Sequence, residues 1–185
     1  AEQWWRMGAA KSFEQFEKAL AMDAFPMLNI VYADQNDNLM LRSQTHLPQR
    51  KVGPNWNGVI MGIDTSYIWH APIPYQNRPV HKNPKNGVLW NANNSPYSCT
   101  CDGIEKAPDA TLAFPGIQTI ETNRSYRIQE LLDSLGCPDS PEAIRRFKYD
   151  RQYPKSGYVW NGFRNHLEGA KPVPEDLKPI FNVLY

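Results

Sequence analysis

Proline placement constrains this chain more than any other feature of its sequence. Its 16 prolines concentrate between Pro48 and Pro115. Proline lacks a backbone N–H and its ring clashes with the preceding helical turn, so it breaks helices and is confined to sheet edges. Pro48, Pro54, Pro72, Pro74, Pro79 and Pro84 therefore exclude long helices from Thr45 to Asn86. The stretch also carries Trp56, Tyr67, Trp69 and Tyr75, which have to pack somewhere. It reads as loops and short extended pieces, ordered by lying across a larger scaffold.

The scaffold is legible on either side. Ser12 followed by Gln15 has capping-box form, and Phe13, Phe16 and Leu20 share a helical face, which predicts a helix over Phe13–Met22 closed by Asp23 to Pro26. Leu28 to Asp34 and Leu39 to Ser43 read as strands joined by Gln35-Asn36-Asp37-Asn38, a β-hairpin, because Asn and Asp tolerate left-handed turn conformations. Gly87–Ala92 reads as a further short strand leading into an Asn93-Asn94-Ser95-Pro96 turn. Asn123 is placed to cap a helix over Arg124–Leu135 with Ile128, Leu131, Leu132 and Leu135 as its apolar stripe. Ser140-Pro141-Glu142 opens another short helix, with proline at its first position. The expected class is α+β, with the hairpin and Gly87–Ala92 in one antiparallel sheet and the two longer helices packed on it. No internal repeat or domain boundary stands out, so residues 1–185 read as a single domain.

Composition and charge then narrow the function. Apolar residues are 41% of the 185, enough for a core. Lys and Arg total 20 against 19 Asp and Glu, so nothing in the net charge favours nucleic acid or an acidic membrane. No apolar run approaches the roughly 20 residues of a membrane-spanning helix. Cys99, Cys101 and Cys137 cannot all pair in one chain, and Cys-Thr-Cys is too sparse to hold zinc unaided, so neither metal nor cofactor is expected. His46, His70, His81 and His166 read as surface or loop histidines, and Arg145, Arg146 and Lys148 as a solvated helix face. Gly-rich phosphate loops, nucleophile elbows and zinc-protease motifs are absent. The opening Ala1-Glu2-Gln3 already looks amphipathic, so the chain is expected to be a processed or excised piece.

One segment breaks its own local rules. Asn91, Asn93 and Asn94 crowd the predicted strand Gly87–Ala92 and its exit turn, although asparagine is poor in strand interiors. Such conflicts concentrate at functional sites. A carboxamide offers two N–H donors and can stabilise an oxyanion; the same asparagines could equally serve a turn built on side-chain-to-backbone hydrogen bonds.

The order of Trp4-Trp5, Ser12-Phe13-Glu14-Gln15-Phe16, Asn29-Ile30-Val31-Tyr32-Ala33-Asp34, Leu47-Pro48-Gln49-Arg50, Trp56-Asn57-Gly58, Asn83-Pro84 with Gly87, Asn91-Ala92-Asn93-Asn94-Ser95-Pro96 and Arg124 carries a resemblance. It is similar to the β-subunit of the penicillin acylase family, which includes the acyl-homoserine-lactone acylases. The likeness is strongest over residues 1–135 and weaker over 136–185.

The resemblance implies an N-terminal nucleophile hydrolase with a four-layer αββα core, of which this chain would be one interior part. A serine freed by autoproteolysis attacks an amide carbonyl, with its own α-amino group as base. By the same resemblance Asn93 is an oxyanion-hole donor and Arg124 supports the active site. Trp4 (Trp5 if the register slips by one) and Leu28 line the acyl pocket. The implied substrates are small N-acyl molecules, either a β-lactam side chain or an acyl-homoserine lactone. The implied partners are the rest of the β-subunit and an α-subunit, and the implied location is periplasmic or secreted. Residue 1 is Ala rather than Ser, Cys or Thr, so no nucleophile is assigned and the isolated chain is expected to be inactive. The competing reading is a non-catalytic binding or interaction module on the same scaffold.

Overall fold

A computed structural model describes residues 1–44, 46–56, 58–100, 117, 121–157, 161–162 and 175–179. They fall into two compact units, Ala1–Ile120 and Glu121–Tyr185.

The first unit opens with helix α1 (Glu2–Ala9), followed by α2 (Phe13–Leu20). Ser12 caps α2 by accepting from the Gln15 N–H, and the Gln15 side chain accepts in turn from the Lys11 N–H. The box thus closes one residue earlier than the usual pattern. The hairpin strands are β1 (Asn29–Ala33) and β2 (Leu39–Ser43), paired antiparallel with Val31 opposite Leu41. Asp34 builds the connection: its carboxylate accepts from the backbone N–H groups of Asn36 and Asn38 and from the Asn38 carboxamide. Asp37 takes the left-handed conformation, φ 61°.

The third strand differs from the sequence expectation. It is β3, Val80–Lys82, which pairs antiparallel with β2 in the order β1-β2-β3. Gly87–Ala92 forms no strand. The physical reason lies in its side chains, since Asn86 and Asn91 accept from nearby backbone N–H groups that a strand would commit to a ladder. Asn83 ends β3 at φ 46° and exchanges bonds with Leu39 through both its N–H and its carboxamide oxygen.

The central strand β2 is paired along both edges, and its residues from Met40 to Ser43 are buried. Ile30, Met40 and Val80 join Met7, Ala19 and Leu20 in the core, flanked by Phe13, Phe16, Phe25, Tyr32 and Tyr75. Helix α2 therefore lies on that face, as the apolar spacing predicted. Directly opposite residues share a face, so Val31, Leu41 and His81 point the other way. Leu41 and His81 are nevertheless buried.

The proline-rich segment leaves and returns through a short antiparallel contact. Pro48 bridges Pro72, the Ile73 N–H donates to Leu47 and the Gln49 N–H donates to Ala71. Of its four aromatics only Tyr75 reaches the core. Trp56 packs instead on Tyr67 and Trp69, with ring centroids 6.0 and 6.1 Å away, and Arg50 lies over both tryptophans. The expected cross-scaffold packing is thus replaced by a self-made aromatic cluster.

The second unit contains α3 (Asn123–Leu135) and α4 (Pro141–Lys148). The cap of α3 is Thr122, one residue before the expected Asn123, and its hydroxyl accepts from the Ser125 N–H. Leu131 and Leu132 are buried, whereas Leu135 is exposed. Ser140 caps α4 as expected, with Pro141 in its first turn and Arg145, Arg146 and Lys148 exposed in its last. Arg127 ties α3 to the chain beyond α4, with Nε and Nη2 on the Asp150 carboxylate at 2.7 and 3.0 Å and Nη1 on Glu130 at 3.1 Å. Glu130 in turn accepts from the backbone N–H and hydroxyl of Ser156.

The class is α+β, with helices packed on a three-stranded antiparallel sheet. Among the described residues this is one sheet; the second that a four-layer core requires is not among them. Cys101, His166, most of the stretch from 101 to 120 and most of the aromatic tail lie outside the described residues, as does Asn57 of the Trp56-Asn57-Gly58 motif.

Candidate functional site

The asparagine-rich turn is held by a set of side-chain-to-backbone hydrogen bonds. Asn94 is buried and works as its internal staple. Its carboxamide oxygen accepts from the Ala92 N–H at 2.8 Å, and its NH2 donates to the carbonyls of Ser98 at 2.6 Å and Ser95 at 3.3 Å. Asn91 accepts from the Asn93 N–H at 2.8 Å. Between them Asn93 sits at φ 58° with its residue exposed, one of the few side-chain types that take this conformation readily. The two neighbouring asparagines thus diverge, one buried in the turn and one presented outward.

Hydrogen bonds also hold the turn from outside it. The Trp90 N–H donates to the Cys99 carbonyl. From β3, His81 Nε2 reaches the Pro96 carbonyl at 2.5 Å, and the Cys99 thiol donates to the same oxygen at 3.3 Å. His81 is therefore not the surface histidine expected from sequence: it is buried at the middle of β3. His46 and His70 are exposed.

A second polar centre lies where α2 ends and the hairpin begins. Arg78, its side chain 1% exposed, grips Asp23 with Nη1 on Oδ1 at 2.6 Å and Nη2 on Oδ2 at 2.7 Å. Its Nε donates to the Ile73 carbonyl. Asp23 also accepts from Gln44 Nε2 at 2.8 Å and lies 3.1 Å from His46 Nε2. Gln44 and Gln3 both donate to the Leu20 carbonyl at the end of α2, and Gln3 accepts from the Ala24 N–H. Partial burial pushes the Asp23 carboxyl up. The hydrogen bonds and charge of Arg78, helped by His46, outweigh that and hold it below its ordinary 3.8. Sequence reading missed Gln3, Gln44 and Arg78 because nothing local marks a polar residue for burial.

This centre positions the residues assigned to the acyl pocket. Trp4 follows the anchored Gln3 and packs on Phe25, ring centroids 4.9 Å apart. Both tryptophans are exposed, Trp4 at 57% and Trp5 at 78%. Leu28 extends the hairpin ladder by one step beyond β1, exchanging backbone hydrogen bonds with Gln44 while its residue stays 39% exposed. Trp4, Leu28 and Asn93 belong to the first unit. Arg124 belongs to the second, exposed in the first turn of α3.

The penicillin amidase family model matches residues 1–161, which includes every one of these positions and runs past Leu135. The chain belongs to the penicillin amidase family. The family is one of amide hydrolases, typically processed, multi-subunit enzymes. Among the described residues no three His, Cys, Asp or Glu side chains group as metal ligands, and no helix is long and apolar enough to cross a membrane.

Proposed function

We propose that this chain contributes an oxyanion-hole donor and part of the acyl pocket to an enzyme that hydrolyses the amide bond of small N-acyl substrates, a β-lactam side chain or an acyl-homoserine lactone. The attacking hydroxyl comes from an N-terminal serine outside this chain, whose own amine acts as base. Asn93 donates its side-chain N–H to the carbonyl oxygen as that oxygen gains charge. Arg124 supports the active site, and Trp4, with Trp5 beside it, and Leu28 contact the acyl group. The working enzyme joins this chain to the rest of the β-subunit and to an α-subunit, in the periplasm or outside the cell.

One observation carries the reading: Asn93 is presented outward from a turn whose neighbouring carboxamide is wholly spent on holding it. A preorganised donor costs no rearrangement when charge develops, and that is where an oxyanion hole gains its effect.

Asn93→Ala in the complete enzyme should lower kcat by roughly 100- to 1000-fold, about 2.7–4 kcal/mol, and change KM little, while alanine at φ 58° costs about 1 kcal/mol of stability. Asn94→Ala is the companion variant. It should lower the thermal midpoint further, and activity with it, because it removes the bonds that the Asn94 carboxamide makes to the Ala92 N–H and the Ser98 carbonyl. Wild-type kcat in folded Asn93→Ala enzyme would remove the oxyanion assignment and leave the turn a structural one.

A further inference from the structure

The Asn94 staple makes residues 92–98 a compact knot, but bonds within a knot do not say where it sits. Its location relative to the sheet has to come from a contact with the sheet. The register supplies one. His81 is the central residue of β3, opposite Leu41 on β2, and both point to the face away from α2. On that face His81 Nε2 meets the Pro96 carbonyl at 2.5 Å in a buried setting. A carbonyl can only accept, so Nε2 carries the hydrogen and donates it. Pro96 is three residues from Asn93, within the same knot.

We propose that His81 is a positioning residue for amide hydrolysis: its donated hydrogen bond to the Pro96 carbonyl locks the asparagine turn onto β3 and so fixes where Asn93 presents its carboxamide. This rests on the reading of Asn93 as the oxyanion donor. Strands are among the stiffest elements of a fold, and a donor borne on a loop gains precision when it is tied to one. An oxyanion donor is sensitive to this, because displacement of a catalytic group by about 1 Å can cost about 100-fold in rate. The thiol of Cys99 reaches the same carbonyl but is a weak donor at 3.3 Å and lies just past the knot, outside the sheet, so this bond does not tie the knot to β3.

The experiment uses the complete enzyme and the faster of two substrates, a phenylacetyl or an octanoyl p-nitroanilide, with kcat, KM and thermal midpoint measured on each variant. His81→Leu should lower kcat by roughly 10- to 100-fold with KM changed less than about threefold, the loss of a displaced donor rather than of binding. His81→Gln keeps an N–H at the end of a side chain able to reach Pro96, and should recover kcat to within about threefold of wild type. Should His81→Leu fail to assemble, His81→Met, unbranched and adaptable, takes its place in the comparison.

The decisive readout is the double variant. If His81 acts through Asn93, His81→Leu placed on Asn93→Ala should lower kcat no further than Asn93→Ala alone, whereas general damage to the fold would multiply the two losses. Multiplied losses, wild-type kcat in His81→Leu, or no recovery in His81→Gln would each overturn the proposal while leaving Asn93 as the donor. Wild-type kcat in Asn93→Ala itself would overturn the underlying reading instead.

Discussion

The Asp23–Arg78 pair offers a sharp test of how the first unit is held together, because its two partners differ in burial. Arg78 has a side chain 1% exposed, whereas that of Asp23 is 25% exposed. Removing the carboxylate in Asp23→Ala leaves a buried guanidinium that keeps its bond to the Ile73 carbonyl but loses both bonds to a carboxylate. Breaking a buried pair in this way costs about 3–5 kcal/mol, and the partial exposure of Asp23 places it at the low end. Alanine at φ 51° adds about 1 kcal/mol that aspartate largely avoids. Asp23→Ala should therefore cost about 4 kcal/mol in total. Asp23→Asn keeps an acceptor and tolerates the left-handed backbone, and should cost about 2 kcal/mol. Arg78→Met removes the buried charge and leaves a carboxylate that water can reach, so about 1–2 kcal/mol is expected. Hydrogen exchange in the assembled enzyme measures these differences locally, on peptides spanning residues 22–46 and 72–82. Up to the limit of global unfolding, a loss of 4 kcal/mol speeds exchange of the Leu28, Gln44 and Ala24 N–H groups by about 1000-fold. Arg78→Met costing as much as Asp23→Ala would refute the buried-charge argument.

Two further outcomes are expected. The Asp23, Glu130 and Asp150 carboxyls are all held below their ordinary values, Asp150 chiefly by its hydrogen bonds to Arg127. For Glu130, burial pushes up but the bonds from Ser156 and Arg127 prevail. A depressed carboxyl gives stability that is complete above its unfolded value and lost as pH falls through the folded one. The thermal midpoint should hold down to the ordinary values of 3.8 for Asp and 4.5 for Glu and drop below them, with a shallower fall in Asp23→Asn; an unchanged midpoint at about pH 3 would contradict this. The isolated 185-residue chain should not hydrolyse phenylacetyl, acyl-lactone or penicillin substrates, since residual donors cannot replace an attacking group. Turnover free of contaminating enzyme would require a nucleophile within the chain itself.

What the sequence determined by itself is the set of features whose physics is local. A cap, its partner three residues on and a 3.6-residue apolar stripe specify α2, and Ser140-Pro141 likewise starts α4. The hairpin follows from a branched and aromatic run, Leu28 to Asp34, and a second short run, Leu39 to Ser43, around a turn that Asp37 can enter left-handed. Only the tertiary structure decided which residues meet across long separations. The third strand went to Val80–Lys82 because Asn86 and Asn91 turn onto their own backbone, and nothing in Val-His-Lys announces a strand of three. Gln3 and Gln44 meet at the Leu20 carbonyl across 17 and 24 residues, and Asp23 meets Arg78 across 55. His81 was read as a surface residue for the same reason. A polar side chain is buried when the fold brings it a partner, and neither its own identity nor its neighbours' says that one will come.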